Sequence, residues 1–395
     1  MIFFSEKNLF IPFPAVIITH FGKDFCNIVH SYNRVLNDIF EDDSINKNHV
    51  SEASFDLRLS KKYDTFFNLN SGISNLKNEI VSINCVKDKF KFYKKIKVSI
   101  PRLSFKSFYL SKILPKKFEG GIVKIKQPKQ KLFYGRMLAG RLNKKTKSFS
   151  ANHSYYDSSH IKEYFQSSES FRTYPYLKGL VNKITMYPVF SLSKLSINLK
   201  IFSKNKIFIS PVINFSSNSS QSLNICVNDY VNSNNLKDVS AFSLIVKSKN
   251  GKIPTRINHQ LIYGDEKKDN ALQCSINLSL TNKQVFVPKY KTGFVWGQAI
   301  NHNNFSSYVG FCFKSSEGQK DKIKINFYSE AGKIKTLTKT LGTKESFIVK
   351  IDKIFKNSKK LQFYWYTASS KRHDLSAYSV HINERSGNAS GEHNF

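Results

Sequence analysis

Three residues able to handle metals or protons lie close together: His153, Asp157 and His160. Their i, i+4, i+7 spacing would align two imidazoles and a carboxylate along one face of a helix. Such a set can hold a divalent metal or work as an acid–base pair, and these three are the candidate catalytic residues. The Ser and Asn residues around His153 point instead to a loop, where that register is not enforced. A second grouping joins Arg256, His259 and Tyr263 to Trp296 and Gln298. Rings beside amides on a sheet suit a sugar, because a ring stacks on a pyranose face while amides meet its hydroxyls. These five are the candidate ligand-binding residues. In a strand, Arg256, Asn258 and Gln260 would form a polar stripe on one side. Near the C-terminal end Glu392 and His393 are adjacent, so an extended backbone should point them apart.

The third grouping is electrostatic. Residues 87–147 hold 20 Lys/Arg against two acids, Asp88 and Glu119, and so carry more than half of a net charge of +34. Lys91, Lys95, Lys97, Lys124, Lys126, Arg136 and Arg141 are its candidate anion-facing residues. Lysine alternates with apolar residues in 87–97 and 105–112. As strands, these segments should put ammonium groups on one face and rings on the other. That arrangement opposes base stacking on the charged face. Lys outnumbers Arg by 53 to 9, which disfavours bidentate reading of DNA bases but suffices for diffuse attraction to a polyanion. An AT-rich coding sequence would also enrich Lys, Asn, Ile, Phe and Tyr. It accounts for a high pI, but not for the concentration of charge in one window.

The elements that must position these residues read as strands. Segments 197–202, 207–215, 240–247, 256–263, 272–280, 293–300, 307–313, 322–328, 346–351, 362–367 and 377–382 alternate apolar with polar residues between turn-forming clusters. Residues 324–337 read as a hairpin with Gly332 in its loop. In the N-terminal half, 94–100 and 121–125 read as strands, 27–40 as a helix ended by Glu41, Asp42 and Asp43, and 158–166 as a short helix. Residues 232–238 read as a polar loop and possible linker. The apolar run 9–19, broken by Pro12 and Pro14 with no basic segment ahead of it, reads as strand rather than leader.

The expected fold is all-β: antiparallel β-sandwich or jelly-roll units, two of them, with one or two short helices. The expected domains are a basic, β-rich 1–170 and a sandwich 171–395. Five cysteines without a CxxC pair imply free, buried thiols and a cytoplasmic setting. No apolar run is long enough for a membrane-spanning helix. Nucleotide-loop, nucleophile-elbow, zincin and kinase motifs are all missing. The function expected is a non-catalytic binding or accessory protein for an anionic polymer, foremost a polysaccharide, with no cofactor. The alternatives are a metal-dependent jelly-roll enzyme acting on carbohydrate through His153, Asp157 and His160, or a non-specific nucleic-acid binder.

Overall fold

The computed structural model describes residues 15–32, 52–72, 74–87, 89–128, 137–156, 164–187, 193–215, 222–254, 257–265, 271–283, 292–356 and 358–393. The chain forms two compact units. Unit 1 is Met1–Ile18, Val29–Lys145 and Ala151–Asp157; unit 2 is Thr19–Ile28, Thr146–Ser150 and Ser158–Phe395. Nearly all regular structure is antiparallel sheet, as the alternation requires.

The first described strands, β1 (Ala15–Gly22) and β2 (Phe25–Tyr32), form a hairpin. Unit 1 then takes in β3 (Glu52–Arg58), β4 (Tyr63–Asn70), β5 (Leu76–Lys87), β6 (Phe90–Ile100), β7 (Phe105–Tyr109), β8 (Gly120–Lys126), β9 (Leu138–Asn143), β11 (Tyr155–Tyr156) and, from Ala151 on, β10 (Phe149–His153). Two sheets result, ordered β11-β3-β8-β5-β6 and β10-β9-β4-β7. Alternate positions on β5 and β8 fill the interior: Val81, Ile83, Cys85, Val123 and Ile125 are fully buried. Gly121 is needed where β8 meets β5, because a Cβ there would lie 2.3 Å from the Val86 carbonyl oxygen. The buried Asp64 carboxylate accepts from the backbone N–H groups of Ser111 (3.0 Å) and Thr65 (2.9 Å), holding the 3-10 turn Leu110–Lys112 against β4.

Unit 2 contains two sandwiches. The first comprises β12 (Tyr164–Gln166), β13 (Glu169–Pro175), β14 (Leu180–Met186), β15 (Leu195–Ser203), β16 (Ile207–Ile209), β17 (Ile213–Phe215), β18 (Leu223–Cys226), α1 (Val227–Ser233), β19 (Val239–Ser248), β20 (Lys252–Pro254), β21 (Asn258–Asp265), β22 (Cys274–Ser279) and β23 (Thr281–Asn282). Its main sheets run β16-β15-β19-β13-β23 and β18-β14-β21-β22. Ile184, Leu199, Leu244 and Leu261, all fully buried, belong to its core.

The second sandwich comprises β24 (Gly293–Asn301), β25 (Phe305–Phe313), β26 (Asp321–Ser329), β27 (Gly332–Leu341), β28 (Phe347–Lys350), α2 (Ile351–Ile354), β29 (Gln362–Ser370), β30 (Leu375–Asn383) and β31 (Ala389–His393). Its sheets run β24-β29-β26-β27 and β28-β25-β30-β31. Strand β30 is buried at every position. Leu375 and Ala377 join one core with Phe311 and Phe327, while Tyr378, Val380 and Ile382 join the core of the first sandwich. One sheet is thus covered on both faces, and the two sandwiches of unit 2 share it.

Several expectations are corrected. Residues 27–32 belong to strand β2 rather than a helix, and 33–51 lie outside the described residues. Ile28, Val29 and His30 are buried and the Ile28 N–H donates to Ser390 Oγ (2.6 Å), a tertiary pairing that overrides helix-compatible spacing. Residues 164–166 are strand, not helix, and 157–163 lie outside the described residues. Residues 232–238 end α1 and lead directly into β19, so they are no linker. The 324–337 hairpin forms as expected, with Gly332 at φ +96°.

Candidate polyanion-binding sheet face

Directly opposed residues of antiparallel strands share a face, so the register of β8, β5 and β6 fixes where each lysine points. Lys126 opposes Ser82, which opposes Lys95; Lys124 opposes Asn84, which opposes Tyr93. Lys91 stands across from Val86, and Lys97 from Ile80. Lys91, Lys95, Lys97, Lys124 and Lys126 therefore all lie on one face, opposite the buried Val81, Ile83 and Cys85. All are exposed except Lys124, which is half-buried. Among the described residues, Lys91, Lys95, Lys97 and Lys126 enter no ion pair.

Lysines on an edge strand guard a sheet against pairing with another edge, and β6 is an edge. That role does not extend to Lys124 and Lys126, since β8 lies two strands inward. Lys95 and Lys126 flank Ser82 at two strand spacings, about 10 Å. That is close to the screening length at physiological salt, so an anion seated between them is attracted by both.

The separation of rings from lysines is only partial. In Phe90-Lys-Phe-Tyr-Lys-Lys-Ile-Lys97 the tyrosine takes a lysine's place in the alternation. Tyr93 accordingly lies on the lysine face, 59% exposed, with its hydroxyl 3.3 Å from Ser82 Oγ. Lys94 falls on the opposite side, and Phe92 packs edge-on against Phe118. The expected exclusion of rings from the charged face is corrected by this one residue.

Two other candidates of the basic group stand apart. Arg141 is buried and ion-paired with Asp56, with Arg58 alongside; Arg58 stacks over the Tyr63 ring at 4.5 Å. Burial first, then the Arg141 charge, lowers the Arg58 pKa. Arg141 is thus a structural cation and is removed from the anion-facing set. Arg136 lies outside the described residues.

The candidate catalytic register is also overturned. His153 ends strand β10 and is fully buried, its ring edge-on to His30 at 4.4 Å, so no helix face carries it. Asp157 and His160 lie outside the described residues. Glu392 and His393, though adjacent, bring Oε1 and Nε2 to 3.8 Å, which the simple extended-chain reading did not foresee.

The candidate ligand-binding set divides. His259 and Tyr263 are fully buried on β21. His259 Nε2 accepts from the Tyr174 hydroxyl, its Nδ1 faces the Ile257 carbonyl oxygen (3.4 Å), and burial pushes the imidazole down to about 3. The Tyr263 hydroxyl donates to the Pro175 carbonyl oxygen (2.6 Å), and burial drives its pKa well up. Both are core residues because β21 is covered on both sides, and neither reaches a ligand surface. Arg256 lies outside the described residues. Trp296 and Gln298 remain, half-buried and two residues apart on one face of edge strand β24.

No family model matches the chain, and no curated protein matches it. Among solved structures, dimeric latent PorU from Porphyromonas gingivalis aligns with 84% of this chain at 11% identity and a TM-score of 0.18. A tetra-tandem repeat in the extending region of a large adhesion protein aligns with 87% at 9% identity and a TM-score of 0.12. The chain spans 30% of the length of the first and 73% of the second. At these scores neither likeness carries an argument about fold or function.

Proposed function

We propose that the protein is a binding or accessory protein that engages an anionic polymer, foremost an acidic polysaccharide, through the outer face of β8-β5-β6. The observation that carries this reading is the register placing five lysines on one face of three adjacent strands. A charge excess arising from composition alone has no reason to select one face. Lysine is a compact point charge able to meet sulfate or carboxylate groups along a flexible chain without bidentate geometry. Among the described residues of this face a single exposed ring, Tyr93, offers little stacking for successive bases, which favours a glycan over single-stranded nucleic acid.

The test compares two variants of equal charge on immobilised heparin. One carries K91Q, K95Q, K97Q, K124Q and K126Q; the other carries K178Q, K204Q, K237Q, K249Q and K252Q, all exposed lysines of unit 2. At about 0.5 kcal/mol per exposed charge contact, the first should bind tens of times more weakly than the parent. The second should bind nearly as the parent does. Equal weakening of both would overturn the reading in favour of unpatterned charge.

A further inference from the structure

Trp296 and Gln298 belong to a larger face on the sheet β24-β29-β26-β27, which β1 meets at one end, where Gln298 Oε1 accepts from Thr19 Oγ1 (2.5 Å) and Phe21 packs beside Phe363. Trp296 opposes Thr367, Asn326 and Thr336 in one row; Gln298 opposes Trp365 and then Tyr328 in the next. Phe294 opposes Ser369, Lys324 and Thr338 in a third. Phe294 is 60% exposed, Trp365 44% and Phe363 37%, figures that mark these rings as surface rather than core. Trp365 and Tyr328 lie nearly parallel, 6° apart, with centroids 6.2 Å from each other. Between the rings run hydroxyls and amides: Thr367, Ser369, Thr336 and Thr338, with Asn326 Oδ1 accepting from Thr336 Oγ1 (2.9 Å). The outward positions of these strands carry Lys322, Lys324 and Lys333 and no acid. The opposite face is the buried core of Val295, Ile323, Ile325, Phe327, Tyr366 and Ala368.

We infer that this face is a second binding site, and that its ligand is an acidic polysaccharide of the uronate type. Trp365 and Tyr328 stack on pyranose faces, as flat rings do on the apolar side of a sugar. Asn326 and the threonine hydroxyls meet sugar hydroxyls, and Lys322, Lys324 and Lys333 meet the carboxylates. Charge complementarity selects the acidic glycan: an uncharged apolar partner would leave three lysines with nothing to pair, and no acid on the face competes for them. Rings alternating with hydroxyl and amide groups suit a hydroxyl-rich ligand better than a dry protein interface, whose centre is depleted of polar side chains.

The chain contains two tryptophans, Trp296 and Trp365, and both lie on this face. Intrinsic tryptophan emission therefore reports this site and not the lysine face of unit 1. The experiment titrates polygalacturonate into the full chain, and into the variant carrying K91Q, K95Q, K97Q, K124Q and K126Q, while following that emission. Dextran and oligo(dT) serve as comparison probes. A saturable change with polygalacturonate in both proteins is expected, even if the lysine-face reading fails. Y328A should weaken it roughly two- to tenfold, and Y328F, which keeps the ring, should restore it. Trp365→Phe should bind within about twofold of the parent, and circular dichroism of each variant checks its folding. An equal response to dextran, a response to oligo(dT) alone, no response at all, or an emission shift with protein concentration alone would each overturn the inference.

Discussion

On the outer face of β8-β5-β6 five lysines surround one tyrosine, whereas on that of β24-β29-β26-β27 five rings stand among hydroxyls with three lysines beside them. Both are outward faces of antiparallel sheets with buried apolar residues behind them, Val81, Ile83 and Cys85 behind the first and Ile323, Ile325 and Tyr366 behind the second. The strand repeat fixes which residues face out but not what they are, so two faces of similar geometry present different chemistry. A lysine lawn attracts any polyanion at a distance, while rings and hydroxyls act only on contact. On the reading proposed above, the first face would govern encounter and the second which sugar is retained.

Salt should separate the two most strongly. Raising the ionic strength from about 0.1 M to about 1 M shortens the screening length from about 10 Å to about 3 Å. Heparin bound by the lysine face should be released across that range, measured by elution. The polygalacturonate-dependent tryptophan change should persist to higher salt, because ring stacking is not screened. Loss of both at the same salt would collapse the distinction between the faces.

Acid offers a smaller separation, through stability. Burial pushes both His259 and His381 down to about 3. In the unfolded chain an ordinary histidine takes up its proton near pH 6.5, so below that the unfolded state binds more protons than the folded one. The stability of unit 2 should be fullest above about pH 6.5 and fall progressively toward pH 3. A fluorescence-monitored melt, which reads Trp296 and Trp365, should show its midpoint dropping between pH 6.5 and 4. A flat midpoint would mean that neither imidazole is held neutral.

The sheet class and most C-terminal strands were legible because alternation over five or more residues has no helical equivalent. The hairpin around Gly332 was legible for the same reason. The lysine face was legible in part: alternation along β6 and β8 places Lys91, Lys95 and Lys97, and separately Lys124 and Lys126, but only strand register joins the two sets. Tyr93 departs from the expected separation because one substitution within the alternation changes which residue shares the charged side. His259 and Tyr263 looked like ligand residues because burial of β21 on both faces depends on strands distant in sequence. Arg141 looked like surface charge because its partner, Asp56, is 85 residues away. The kinship of Trp365 with Trp296 exists only through the pairing of β24 with β29, so spacing along the chain does not reveal it.

If the proposal holds, five lysines of one sheet face, rather than the charge of the whole chain, hold the polyanion. Lysine acetylation footprinting, with and without a saturating heparin fragment and read by mass spectrometry, tests it residue by residue. Protection is predicted at Lys91, Lys95, Lys97, Lys124 and Lys126, with Lys178, Lys204, Lys237, Lys249 and Lys252 modified as fast as before. Protection spread evenly over both sets, or absent from the first, would contradict it.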